Sequence, residues 1–187
     1  MRWLIASDIH GSASWCGKLT DAFGAEGADR LLLLGDLLYH GPRNDLPEGY
    51  DPKAVIALLS ARKDRILCVR GNCDTEVDQM VLPFPILAEY AMMPAGERLM
   101  FVTHGHHFHA AALPPLRPGD ILLHGHTHVP ERREADGVTV LNPGSVSIPK
   151  DGTWHGYMTL EDGLFIWKDF AGAERMRWDS KTARGAG

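Results

Sequence analysis

Trp3-Leu4-Ile5-Ala6-Ser7-Asp8-Ile9-His10 opens the chain with a short apolar run that ends in an aspartate and a histidine one residue apart. So brief an apolar run reads as a buried strand, and two side chains separated by one residue in extended backbone point the same way. The figure then repeats. Leu31-Leu32-Leu33-Leu34 is too short for an isolated helix and stops at Gly35-Asp36, and Ile66-Leu67-Cys68-Val69 runs into Gly71-Asn72-Cys73-Asp74. Three strands therefore deliver oxygen or nitrogen donors at their carboxyl ends, where open α/β sheets build their sites.

Helical signals fill the gaps. Ser12 or Ser14 can cap a helix in which Trp15, Leu19, Ala22 and Phe23 recur at helical spacing. Asp51-Pro52 is a cap and first-turn pair for a helix carrying Val55, Ile56, Leu58 and Leu59. Tyr39 to Asp51, rich in Gly, Pro and Asn, reads as a loop. Strand, helix, strand, helix, strand is the order of an α/β layer with parallel strands.

The later chain changes character. Strand candidates at Arg98–Thr103, Asp120–His124, Val138–Leu141, Gly156–Leu160 and Leu164–Lys168 follow one another closely, with turns at Asp136-Gly137 and Asp162-Gly163. They predict a second, more antiparallel sheet packed on the first. No repeat or linker divides the chain, so residues 1–180 read as one domain and the small, polar stretch 181–187 as a flexible tail.

Bulk properties narrow the function classes. At 187 residues the chain is long enough to bury a core without disulfides, and a formal charge of −5 offers no general attraction to nucleic acid. Cys16, Cys68 and Cys73 cannot all pair and show no CxxC spacing, which favours a reducing compartment, by default the cytoplasm. Met1 to Ser7 leads straight into Asp8 and does not read as a signal peptide. No apolar stretch approaches the roughly 20 residues needed to span a bilayer.

Seven of the ten histidines lie between His104 and His128, in the pieces His104-Gly105-His106 and Gly125-His126-Thr127-His128. Each donor group alone has an ordinary explanation: Asp8 as a helix cap, Gly35-Asp36 as a turn, Asn72 as a left-handed turn residue. Five such groups in one chain point instead to a multinuclear metal site with carboxylate, amide and imidazole ligands. His107 and His109 read as solvated loop residues, while His106 suits a place just behind the ligands or facing substrate. A rival is a single zinc on His124, His126 and His128, which would share a face if the strand ran on. Gly125 and Thr127-His128-Val129-Pro130 argue that it ends near Gly125, with His126 and His128 on a loop. Cys73 as a covalent nucleophile would need a base and a depressed pKa, and a thiol beside a metal site fits a supporting place better.

Taken in order, Asp8-x-His10, Gly35-Asp36, Gly71-Asn72-x-Asp74, His104-Gly105-His106 and Gly125-His126-Thr127-His128 resemble the calcineurin-like metallophosphoesterase superfamily. His40-Gly41-Pro42-Arg43-Asn44, Val69 to Asp74, and Asn142-Pro143-Gly144-Ser145 through Lys150 resemble, within it, the YfcE group of small bacterial phosphodiesterases. The resemblance implies a four-layer α/β/β/α sandwich of two facing mixed sheets flanked by helices. It implies one metal on Asp8, His10 and His128, a second on Asn72, His104 and His126, and Asp36 bridging the two. Manganese is the metal it favours, with iron, zinc or nickel as alternatives that oxygen and imidazole donors also suit.

The activity implied is phosphodiester hydrolysis by a hydroxide bridging two divalent ions. Cys73, Asp74 and His106 would stand behind the ligands, and His40 and Arg43 would contact a small phosphate-ester substrate. Two other readings stay open: a phosphomonoesterase acting on a nucleotide, sugar phosphate or phosphoprotein, and a non-catalytic protein-binding scaffold of the same fold. Scaffolds of this kind lose metal ligands, and here all seven positions are kept. Many superfamily members carry histidine after the Gly-Asn pair, where this chain has Cys73, a poorer acid at neutral pH. No membrane partner is expected, and a homo-oligomer is compatible with the sequence.

Overall fold

The computed structural model describes residues 1–182. Strands β1 (Trp3–Ala6), β2 (Arg30–Leu33) and β3 (Ile66–Cys68) alternate with helices α1 (Ala13–Ala25) and α2 (Pro52–Ser60), as their apolar runs and caps predict. Ser12 Oγ accepts from Trp15 N at 3.3 Å, and Asp51 Oδ1 accepts from Ala54 N at 3.1 Å, each closing one of the free amides that a helix start exposes. After β3 come a short helix α3 (Glu76–Val81) and strands β4 (Ala91–Ala95), β5 (Arg98–Val102), β6 (Ile121–Leu123), β7 (Pro130–Ala135) and β8 (Val138–Pro143). Strands β9 (Gly156–Glu161), β10 (Leu164–Asp169) and β11 (Glu174–Asp179) complete the described fold.

Two mixed sheets result, in the orders β11-β10-β9-β1-β2-β3 and β4-β5-β6-β8-β7. This corrects one expectation. The late strands do not all build the second sheet, because β9 pairs antiparallel with β1 and carries β10 and β11 onto the first. The centre of the second sheet, β5-β6-β8, is parallel rather than antiparallel. Hydrophobic burial explains the split: Met158, Phe165 and Trp167 join Ile5 and Leu32 in facing Val102, Ile121 and Leu141 across the sheet interface. On the other side of the first sheet, Leu4, Leu31 and Leu33 pack with Leu19, Phe23, Val55 and Leu59 of α1 and α2. The outer face of the second sheet, Phe101, Leu122 and Val140, is covered by Phe108, Leu113 and Leu116. These belong to residues 104–119, which carry no helix, so this fourth layer is irregular chain.

Four of the elements not legible in sequence are β4, β7, β11 and α3. The three strands are sheet edges, and they bear the marks that edges carry: Pro94 in β4, and Glu-Arg-Arg-Glu and Glu-Arg in β7 and β11. Charge and proline protect an edge from pairing with another chain and at the same time erase the alternation that announces a strand. No helix among the described residues is long and apolar enough to cross a membrane. Lys181 and Thr182, the start of the expected tail, hydrogen-bond back to Asp179 in a turn, and residues 183–187 lie outside the described residues.

Candidate metal centre

The loops leaving β1 and β2 continue the parallel ladder of their strands. Leu34 N donates to Ala6 O (2.9 Å), Asp8 N to Gly35 O (3.1 Å), His10 N to Asp36 O (2.9 Å) and Gly11 N to Leu37 O (2.9 Å). The second sheet does the same at β5 and β6, where Thr103 N donates to Leu123 O (3.0 Å) and Gly125 N to His104 O (2.7 Å). Both sheets therefore aim the carboxyl ends of parallel strands at one place, and the donors read from sequence arrive there from five of them.

The cost is backbone strain. Asp8, His10, Asp36, His126 and His128 all have left-handed φ, at 60°, 49°, 57°, 66° and 63°. Residues with a Cβ avoid this region unless surrounding structure insists, and such positions cluster at functional sites. What insists here is close backbone approach. A Cβ on Gly71 would collide with Asp36 Oδ1, and one on Gly125 would collide with Ser7 Oγ. The glycines beside the donor residues are there to let the loops touch.

Three imidazoles are fixed by the same device. Nδ1 of His10, His104 and His128 lies 2.8, 2.6 and 2.7 Å from the carbonyl oxygens of Tyr39, Leu34 and Ile148. A carbonyl only accepts, so each Nδ1 carries the proton and each Nε2 turns toward the centre. There His10 Nε2 is 3.2 Å from His128 Nε2, and His104 Nε2 is 3.2 Å from His126 Nδ1 and 3.1 Å from Asn72 Oδ1. Asp8 Oδ1 lies 3.5 and 3.2 Å from the Nε2 atoms of His10 and His128, and Asp36 Oδ2 lies 3.6 and 3.4 Å from those of His10 and His104. Two compact donor sets follow, Asp8–His10–His128 and Asp36–His104–His126, with donor atoms within 4.8 Å in each.

The donors fit metal ions. Asp8 Oδ1 is buried with no hydrogen-bond partner, while its other oxygen accepts from His126 N at 3.0 Å. Burial works to raise both carboxyls, yet His10 and His128 hold Asp8 well below the usual range, and His104 holds Asp36 low. Burial likewise works to lower His104, but Asp36 and Asp8 push it up to about 9. Without a metal, the carboxylates recruit imidazolium as their counter-charge. Desolvation of half-buried His126, together with the nearby His104 charge, drives it down to about 4.

Supporting residues arrange themselves around this centre. Asp74 is buried and accepts three backbone N–H groups, from Asp36 (2.8 Å), Gly71 (2.8 Å) and Leu37 (2.9 Å), so it clamps the β2 and β3 loops together. Cys73 N donates to Asp36 Oδ1 at 2.8 Å. Burial and the nearby Asp36 charge push the Cys73 thiol up to about 12, opposite to what a nucleophile requires. The His106 ring lies tilted against that of exposed His107, centroids 4.0 Å apart, and 5.5 Å from that of His104. Arg43 lines the cleft over the donors, whereas His40 is half-buried against the edges of Tyr39 and Tyr50 and does not line it.

His124 lies one residue past β6 and points elsewhere. Its Nδ1 meets Gly125 O at 3.0 Å, its Nε2 is buried without a hydrogen bond, 3.9 Å from Glu131 Oε2, and burial lowers it to about 4. The three donors of a His124–His126–His128 zinc site are therefore not gathered.

Sequence reasoning missed Asn44 and Lys150, which line the cleft. It also missed the work of Asn142 to Ser147. Ser145 Oγ and Ser147 Oγ donate to Asp8 O at 2.9 and 3.1 Å, and Asn142 Nδ2 donates to Gly125 O at 2.7 Å. This loop sews the two sheets together under the donors. In the sequence the stretch carries part of the family resemblance, with no role given to its residues.

A family profile for the calcineurin-like phosphoesterase superfamily domain matches residues 1–162, and the chain belongs to that superfamily. Membership implies divalent-metal binding, for which the chain carries the donor groups just described. The sequence is 45% identical over 164 residues to Phosphodiesterase YfcE of Escherichia coli K12, spanning 88% of this chain and 89% of that protein. The solved structure of YfcE superposes with a TM-score of 0.91 at 40% identity, covering 96% of this chain and 99% of that one. A Vps29 single mutant from Entamoeba histolytica, at 22% identity and a TM-score of 0.61 over 96% and 99% of the two chains, shares the fold alone.

Proposed function

We propose that this chain hydrolyses phosphodiesters with two divalent ions, manganese first among them. Asp8, His10 and His128 hold one ion, Asn72, His104 and His126 hold the other, and Asp36 lies between. The observation that carries the reading is the position of Asp36 Oδ2, 3.6 Å from His10 Nε2 and 3.4 Å from His104 Nε2, midway between two imidazoles whose Nε2 atoms face inward. Divalent ions bound there would supply hydroxide at neutral pH and polarise the phosphoryl oxygens.

The chain's own residues do the rest. Asp8 and Asp36 return two negative charges to the centre, leaving it cationic enough to attract a phosphodiester anion. Arg43, Asn44 and Lys150 line the cleft and meet the phosphate oxygens with cations and a side-chain amide. In the metal-free chain burial and the Asp36 charge push the Cys73 thiol up to about 12, which favours neither a nucleophile nor an efficient acid, so the leaving group is expected to depart with little assistance. That favours acidic leaving groups. The name of the 45% identical relative, a phosphodiesterase, agrees. Three free, buried cysteines fit the cytoplasm.

The test is a turnover screen of the manganese-loaded protein against paired mono- and diesters, with metal content measured on the same sample. Two ions per chain and diester turnover are expected. Faster turnover of sugar or nucleotide monophosphates than of any diester would replace this reading with a phosphomonoesterase. Two bound ions with no turnover of any ester would point to a scaffold.

A further inference from the structure

Beside the metal cleft lies an apolar groove of about 410 Å³, lined by Tyr39, Tyr50, Ile56, Val77, Val81 and Cys73. Cys73 also lines the cleft that holds His10 and Asp36, so the two spaces share a wall. We propose that this groove receives the second arm of the diester and selects a flat aromatic group there. The proposal rests on the phosphodiesterase reading and supplies what that reading lacks, the chemical class of the arm.

The groove has the size and predominantly apolar lining of a small-molecule site. Its outer wall is α3, none of whose residues is buried, with Val77 69% and Val81 49% exposed. The polar groups of that helix start are spent on each other: Thr75 Oγ1 donates to Asp78 Oδ2 at 2.8 Å, and Asp78 N donates to Thr75 Oγ1 at 3.3 Å. Beside that Thr75–Asp78 pair, what faces the groove is mostly phenol rings and branched aliphatic carbon, which suit the face of a ring better than an array of hydroxyls. The cleft itself gathers the charge, from Arg43 and Lys150. Phosphate and apolar arm thus find separate, adjoining surfaces. The wider cleft past His126 is the poorer receiver, because its Arg133 and Glu131 already pair at 2.9 Å.

The experiment compares 4-nitrophenyl phenyl phosphate with 4-nitrophenyl methyl phosphate on the manganese-loaded enzyme, so that the leaving group is constant. Burying a phenyl ring predicts a kcat/KM advantage of about tenfold or more for the phenyl diester. Val77→Asp, at an exposed first-turn position where aspartate suits the helix, should bring that ratio toward one by lowering the phenyl diester more than the methyl diester. Separately, diphenyl phosphate added to metal-free protein should shift the methyl resonances of Ile56, Val77 and Val81. A ratio near one in the unaltered enzyme, or unmoved methyl resonances, would overturn the proposal. So would sedimentation showing these valines buried in a dimer that Val77→Asp dissolves. If no diester turns over yet diphenyl phosphate still moves the methyls, the hydrolytic reading fails and the groove stands.

Discussion

The Nε2 atoms of His10 and His128 lie 3.2 Å apart, while each ring's Nδ1 is committed to a backbone carbonyl. Two lone pairs face each other at that distance only with a cation between them: a proton in the metal-free chain, a metal ion in the loaded one. The pH dependence follows. His104 sits at about 9 when folded, against about 6.5 unfolded. Its imidazolium therefore stabilises the metal-free fold fully below about 6.5 and loses that effect as pH rises through about 9. The Tm of chelator-treated protein should fall between pH 7 and 10, whereas that of manganese-loaded protein should stay level. Manganese binding at pH 7.5 should also release at least one proton, seen by calorimetry in buffers of different ionisation heat. Parallel Tm curves with and without metal would count against a metal site here.

Asp36→Asn should remove most diester turnover, by about 100-fold or more at limiting metal, because the oxygen between the two donor sets loses its charge. Asp36 Oδ1 accepts from Cys73 N, and an amide oxygen can still do so, which keeps the loop in place. Circular dichroism should match the unaltered protein while metal content drops below two ions per chain. Near-normal turnover with two ions bound would contradict the bridging role.

Much of this centre was legible because its donors follow apolar runs. Leu31 to Leu34 and Ile66 to Val69 announce buried strands, and Asp36 and Asn72 follow directly. His104 and His126 enter the sequence reading through their donor groups and the family resemblance, whereas the parallel run of β5, β6 and β8 that carries them to the centre was not legible. Close turns and short spacings suggested antiparallel pairing instead. Nor can sequence show left-handed φ at His126 and His128, because histidine carries no mark of it. Asn142 to Ser147 carries part of the family resemblance, and its role appears only once Ser145 is seen reaching across to Asp8 O.

Asp74→Ala should lower stability more than any other single change around the site. Its carboxylate satisfies three buried N–H groups, of Asp36, Leu37 and Gly71, and removing it leaves all three unpaired. Denaturant unfolding should show a loss of about 3 kcal/mol or more. Asp74→Asn, which keeps one accepting oxygen, should lose less. Equal stability of the alanine variant would show that the Gly35-Asp36 and Gly71-Asn72 turns hold themselves.

Cys73 sets the last expectation. A thiol held near 12 by burial and by Asp36 offers little proton to a departing alkoxide, so the rate should depend steeply on leaving-group acidity. Across a series of aryl diesters, log kcat should fall sharply as the pKa of the phenol rises. Cys73→Ser should keep turnover within about tenfold, because no bond to sulfur is made. Cys73→His places an imidazole where the proton is needed and should flatten the slope, raising slow substrates more than fast ones. Should the slope be shallow in the unaltered enzyme, another residue protonates the leaving group, and His106, 5.5 Å from the His104 ring, is the first to replace. A phosphocysteine trapped during turnover would overturn the supporting role of Cys73 altogether.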